Sequence, residues 1–263
     1  MKRLKTQIIA HRGASRYAPE NTMPAFELAY EMGAHMIEFD VHLSKDLIPV
    51  IIHDEDVKRT TNGTGLVRDL TIEELKQLDA GSWFSPKFSE TRISTLNELL
   101  IWLNDKELGA NIELKNDKYE YQNIEGIVYD LLKEHQALDK VVISTFNINS
   151  IKRLQQYKDE LNIALLTSKK RTKSKLSYLI EDLEIDAIHF KYNVLNHTLM
   201  KVSTQYNIDT RVYTVNKPAH MLQCFKYKCT GVITDVPDIA LEQFVQFNSQ
   251  GLSKTNRRRF WLF

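Results

Sequence analysis

The stretch QIIAHRGASRYAPENTMPAFELAYEMG, residues 7–33, opens as a strand and closes as a helix. QIIAH (7–11) is a short β-rich apolar run, and 23–33 carries helical spacing of its apolar residues. A strand that hands over to a helix within so few residues is the repeating unit of an α/β protein. Between the two stand His11, Arg12 and Gly13. Two cationic side chains at the end of an apolar strand ask for an anion.

The same alternation runs on through the chain. Further strands are expected at 35–41, 110–115, 141–146, 162–167, 186–190, 210–215 and 231–235. Helices are expected at 95–104, 119–136, 149–158, 174–182, 195–206, 217–226 and 236–247. Eight strands alternating with eight helices predict an α/β fold, the TIM (β/α)8 barrel, which typically takes ~250 residues; this chain has 263. The apolar run IPVIIHD (48–54) breaks the pattern. It follows the second strand with no room for a crossover helix, so it must return antiparallel as a hairpin turning near Asp46 and Leu47. Pairing about that turn sets Asp40 opposite His53, a register in which a slip of one residue would matter. Residues 54–92 then form a small insertion between this hairpin and the second barrel helix. They are rich in turn residues, with one short helix opened by a capping box of Thr71 and Glu74. Trp83, Phe84 and Phe88 there would suit a cover over the barrel mouth, or a small subdomain packed for its own stability. A single domain is expected over 1–252, followed by a basic and aromatic tail, SKTNRRRFWLF (253–263).

Composition narrows the class. Apolar residues at 43% and charged residues at 26% are ordinary for a globular protein, and a net charge of +1 gives no reason to expect nucleic acid as a partner. The apolar run ahead of His11 is only IIA, too short for a signal peptide, so a cytoplasmic location is expected. Cys224 and Cys229 are then expected as reduced thiols. The tail's three arginines and four apolar residues would suit an anionic membrane surface, a disordered end, or a helix docked under the barrel. Composition says nothing of oligomeric state.

The chemistry gathers where the strands end, which is where such barrels carry their sites. Glu38 and Asp40 are two apart in a strand and share a face, as do Glu113 and Lys115. Carboxylates at that position are costly to bury and raise one another's pKa. One divalent cation removes the conflict, and oxygen ligands suit Mg²⁺ or Ca²⁺, with Mn²⁺ a third candidate, better than zinc. A salt-bridge network with Arg12 and Lys115 is the alternative. His11 and His53 at the same mouth suit acid–base work. Arg12 and Lys115 suit a phosphate. The other six histidines, His42 and His189 among them, are expected to be structural.

These residues resemble a known family. AHRGASRYAPENTMPAF (10–26), IEFDVHLSKDLIPVIIHD (37–54), RTTNGTG (59–65), NIELK (111–115), VYTVN (212–216) and GVITDVP (231–237) stand in the order found in the glycerophosphodiester phosphodiesterases. The resemblance implies a divalent ion on Glu38, Asp40 and Glu113. It implies His11 and His53 as the acid–base pair and Arg12 and Lys115 on the substrate phosphate. The reaction implied is hydrolysis of a small glycerophosphodiester, such as glycerophosphocholine or glycerophosphoethanolamine, to sn-glycerol 3-phosphate and an alcohol. A lysophospholipase D or phospholipase C activity on the same barrel is the alternative. Trp83, Phe84, Phe190 and Tyr213 are candidates for a substrate wall. The turn KDL departs from the family's usual KDG, and Tyr213 stands where Trp is common. Asn21 would brace the site as a donor or, with Glu20, simply form the turn.

Overall fold

In a computed structural model that describes residues 6–259, nine strands form one sheet in the order β1–β9–β8–β7–β6–β5–β4–β2–β3. Strand β1 (Gln7–His11) also pairs with β2 (Met36–Leu43), so eight strands close into a barrel and β3 (Pro49–Ile51) hangs outside the ring. All barrel pairings are parallel; β3 alone is antiparallel, on β2. The remaining strands are β4 (Gly109–Leu114), β5 (Val141–Thr145), β6 (Asn162–Thr167), β7 (Ala187–Lys191), β8 (Asp209–Tyr213) and β9 (Gly231–Thr234). The expected TIM (β/α)8 barrel is the fold observed.

Helix α1 is Met23–Glu31 and α2 is Ile72–Gln77. Then come α3 (Leu96–Leu103), α4 (Ile124–Glu134), α5 (Ile148–Leu154), α6 (Lys173–Leu183), α7 (His197–Gln205), α8 (Pro218–Tyr227) and α9 (Pro237–Arg259). Only α2 lies in the insertion. Its capping box is formed: Thr71 Oγ1 accepts from the Glu74 amide, and Glu74 Oε2 accepts from the Thr71 amide. The last helix continues past 247 and past the expected boundary at 252, since no proline follows Pro237 to stop it. The end of the tail, 260–263, lies outside the described residues. No helix among the described residues is long and apolar enough to cross a membrane.

Side chains alternate along each strand, so every strand feeds two cores. The outward residues, such as Ile37, Phe39, Ile112, Ile143, Ile188 and Phe190, pack under the helices. The inward ones, Ile9, Met36, Val142, Ala164, Ala187 and Ile233, fill the barrel. Phe190 is thus not a substrate wall. It is fully buried in the layer shared with Leu199 and Val202, because strand alternation turns His189 and Lys191 inward instead. The insertion has its own small core of Val57, Val67, Leu75 and Ala80 beneath Val50 and Ile52.

The hairpin forms as expected, but one residue out of the expected register. Val41 pairs with Ile51 and His42 with Val50, and the Ile52 amide donates to the Asp40 carbonyl. The turn holds three residues, Lys45, Asp46 and Leu47, instead of two. Ser44 closes it by accepting from the Ile48 amide and donating to Asp46. Leu47 takes φ +62°, the left-handed conformation that glycine usually fills in KDG.

Inside the barrel His189 is completely buried beside Arg211, its neighbour in register, and neither ring nitrogen has a hydrogen-bond partner. Burial, and then Arg211, push its pKa well below the usual 6.5. The unfolded chain therefore binds a proton below pH 6.5 that the folded chain refuses. Stability is full above that pH and falls as the solution is acidified, by at most ~1.4 kcal/mol per pH unit from this group. A His189→Leu variant is expected to show a shallower loss of stability between pH 6.5 and 5, read from urea midpoints.

Candidate active site

The loop after β1 is built around two left-handed residues, Arg12 (φ +56°) and Gly13 (φ +80°). Only glycine fits at the second. A Cβ there would stand 2.6 Å from the Ala25 carbonyl carbon, where the loop leans on α1. Gly13→Ala is expected to cost about 3 kcal/mol in urea unfolding, from overpacking and backbone strain together. The turn aims the Arg12 amide at Glu38, whose Oε2 accepts it at 2.9 Å. A left-handed Arg12 is the kind of strain that persists where a site demands it.

Barrel register brings the acids together. His11 lies beside Glu38 across β1 and β2, and Asp40 beside Glu113 across β2 and β4. Oxygens of Glu38, Asp40 and Glu113 all lie within 4.8 Å of one another, and all three groups are buried or nearly so. Burial and the charge of Asp40 push Glu38 up to about 8, despite His11 nearby. Glu113 is raised too, first by burial. Asp40 goes the other way: burial opposes its charge, but Arg12, Lys115 and His53 hold it far below the ordinary range. Asn21 braces it, donating from Nδ2 to Asp40 Oδ2 at 2.9 Å and accepting from the Asp40 amide at 3.3 Å. Asn21 does more than form the turn, where it takes φ +59°, because its side chain holds Asp40.

Arg12 and Lys115 are both in place. Arg12 Nε lies 3.3 Å from Asp40, and its Nη1 donates to Glu20 at 2.7 Å. Lys115 Nζ donates to Glu113 at 2.8 Å and lies 3.6 Å from Asp40. Burial opposes both charges, yet the carboxylates hold both cations firmly charged. Tyr213 is close enough to feel Glu113 and Lys115, and its ring meets Phe146 edge-on at 6.2 Å. Trp83 and Phe84 pack edge-on at 5.7 Å within the insertion, and Phe84 continues to Phe88.

Each histidine has a carboxylate behind it. His11 Nδ1 lies 2.6 Å from Asp235 Oδ1, and His53 Nδ1 lies 2.6 Å from Asp54 Oδ1. A carboxylate on Nδ1 calls for the proton there and leaves Nε2 free to face a substrate. Burial disfavours the His11 imidazolium, but Asp235 and Glu38 more than offset it, and its pKa is raised. Asp235 is itself held by Asn216 Nδ2 at 2.5 Å and by Ser15 at 3.3 Å. His53 reaches the site despite the shifted register, because the hairpin ladder ends with the Ile52 amide on the Asp40 carbonyl and His53 follows outside it. His42 Nε2 donates to the His53 carbonyl at 3.1 Å, so its neutral Nδ1 accepts from Tyr121 at 2.9 Å. Burial keeps His42 neutral, with a pKa lowered to about 4. His42 is thus structural, as expected, but the structure it holds is that of His53.

Asp54 and Asp235 were not singled out in the sequence as histidine partners. Asp54 follows His53 directly in the HD pair, which was a signal. Asp235 stands 224 residues from His11, and only barrel closure reveals the pairing.

The family model described as the glycerophosphoryl diester phosphodiesterase family matches residues 11–239, nearly the whole barrel. This chain belongs to the glycerophosphoryl diester phosphodiesterase family. A glycerophosphodiester phosphodiesterase of Caldanaerobacter subterraneus subsp. tengcongensis is 38% identical over 236 residues, 89% of this chain and 96% of that protein. One of Bacillus subtilis is 32% identical, over 88% of this chain and 84% of its own. Among solved structures, an Oleispira antarctica phosphodiesterase in complex with the product sn-glycerol-3-phosphate superposes with a TM-score of 0.83 at 30% identity, covering 90% of this chain and 96% of that one. The Agrobacterium tumefaciens glycerophosphodiester phosphodiesterase gives 0.78 at 28% identity, with 89% and 98% covered. The chain is an enzyme of this phosphodiesterase class.

Proposed function

We propose that this phosphodiesterase hydrolyses small glycerophosphodiesters to sn-glycerol 3-phosphate and an alcohol, with His11 and His53 as its acid–base pair. The observation that carries the reading is the site itself: two histidines, each backed by a carboxylate, beside three buried acids and two cations. The product named for the Oleispira antarctica relative supports the substrate class.

Three buried carboxylates against two cations leave negative charge uncompensated, and burial followed by repulsion from Asp40 raises the pKa of Glu38 and Glu113. An all-oxygen set of this kind fits a hard divalent cation, Mg²⁺ or Ca²⁺ and less simply Mn²⁺. Glu38, Asp40 and Glu113 would hold it. When bound it supplies positive charge for a phosphoryl oxygen. Arg12 and Lys115 bring further positive charge to the substrate phosphate and hold it in place. One histidine takes the proton of the attacking oxygen at Nε2 while the other gives a proton to the departing alkoxide. Asp54 and Asp235 keep each ring turned and stabilise it when it is charged. Tyr213 offers an aromatic wall beside the reacting groups, and Trp83 with Phe84 a second surface for the alcohol portion.

The test is release of sn-glycerol 3-phosphate from glycerophosphocholine and glycerophosphoethanolamine, coupled to a dehydrogenase, with Mg²⁺, Ca²⁺ or Mn²⁺ supplied. Release with any of these ions is expected. Hydrolysis of lysophospholipids alone would overturn the substrate assignment while keeping the site.

A further inference from the structure

The insertion is tied to both halves of the site through one side chain, Arg59. Arg59 closes a one-turn 3₁₀ helix, Val57–Arg59. Two features hold that turn: Asp56 accepts from the Lys58 amide at 2.7 Å, and Val57 is fully buried in the insertion's core. From there Arg59 Nε donates to Asp54 Oδ2 at 2.5 Å, while its Nη1 and Nη2 grip both oxygens of Glu20 at 2.9 and 2.8 Å. Asp54 turns its other oxygen to His53, and Glu20 shares Oε1 with Arg12. The result is an unbroken chain of five charged or polar groups: His53, Asp54, Arg59, Glu20 and Arg12.

Resting on the hydrolase reading above, we propose that Arg59 is a positioning residue that sets His53 through Asp54 and Arg12 through Glu20. Its hydrogen bonds go to Asp54 and Glu20, not to Glu38, Asp40 or Glu113. The geometry needs arginine. Three of its donors serve two carboxylates at once in one plane, which a lysine ammonium cannot do. A stabilising role alone explains the contacts poorly. Arg59 is itself 44% exposed, against 14% for Glu20, so solvent screens the cation's side of the pair and limits what it adds to stability. The two arms carry separable consequences. The Asp54 arm orients a group that moves protons, so its loss lowers kcat. The Glu20 arm orients a group that meets the ground-state phosphate, so its loss raises KM.

The test compares wild type with Arg59→Ala, Arg59→Lys, Asp54→Asn, Glu20→Gln and the double variant Arg59→Ala/Asp54→Asn. Steady-state kinetics on glycerophosphocholine are paired with ¹H–¹⁵N spectra of the imidazole groups in ¹⁵N-histidine-labelled protein, a readout that needs no turnover. Arg59→Ala is expected to lower kcat/KM about 100-fold, in kcat and KM together, with Arg59→Lys recovering only part of it. Asp54→Asn should reproduce the kcat loss and Glu20→Gln the KM loss. The double variant should have the kcat of Asp54→Asn alone, because both changes break one chain. Added guanidinium should restore part of the Arg59→Ala rate. In the spectra, the His53 Nδ1–H signal should broaden or vanish in Arg59→Ala. Unaltered rate and spectrum in Arg59→Ala would overturn the proposal, as would a lowered melting temperature with kcat and KM unchanged, or fully multiplicative losses in the double variant. Should the wild type fail to cleave diesters while Arg59→Ala still loses the His53 signal, the positioning role stands and the reaction assignment falls.

Discussion

Alanine at His11 or at His53 is expected to lower turnover by about 10²- to 10⁴-fold, the range for losing a positioned proton donor or acceptor. The fold should survive either change. His53 lies outside the barrel's regular strands, and His11 ends one, with its ring only partly buried. The two losses should not multiply, since acid and base act in one event. The leaving group separates their roles. A substrate whose alcohol departs without needing a proton should rescue the variant lacking the acid and leave the other impaired. Asp235→Asn and Asp54→Asn should follow their histidines at smaller cost, as the ring loses its tautomer and its orientation. A His53→Ala enzyme with ordinary turnover would remove His53 from the mechanism.

Chelation is expected to abolish activity, by on the order of 10³-fold, and restored divalent ion to return it. Stability gives a second reading that does not depend on turnover. An ion that binds the folded chain alone stabilises it by ~2.7 kcal/mol at a hundredfold excess over its Kd. The melting temperature should therefore rise with Mg²⁺ or Ca²⁺, and Glu113→Gln should weaken the rise. If Glu38, Asp40 and Glu113 served only as a salt-bridge network for Arg12 and Lys115, chelator would change neither quantity.

Much of this was legible in the sequence, for physical reasons that differ by element. The strands showed themselves because each is buried on both faces, so each reads as an apolar run. The acids showed themselves by breaking those runs at spacing two. The hairpin was visible because no crossover fits between β2 and β3. Its register was not, because Ser44 and a left-handed Leu47 make a three-residue turn where a two-residue one was expected. Phe190 was misplaced for a related reason. Which face of a strand an aromatic takes depends on a parity that one residue reverses. The partners Asp235 and Arg59 were hidden more deeply. One is paired across the whole barrel, and the other joins the insertion to the loop after β1, 39 residues away. No local pattern announces a contact of that kind.

The closure of the ring at β1 and β9 bears on when the enzyme comes to exist during its own synthesis. His11 leaves the ribosome ahead of its partner Asp235, which follows 224 residues later. At ~5–20 residues per second that interval is roughly 10–45 s. Throughout it β1 has only β2 to pair with, and His11 has no carboxylate behind it. A chain stalled or cleaved before β9 thus carries nearly every acid and base of the site without the strand that closes it. Such a fragment has His11 without the Asp235 carboxylate that holds its Nδ1.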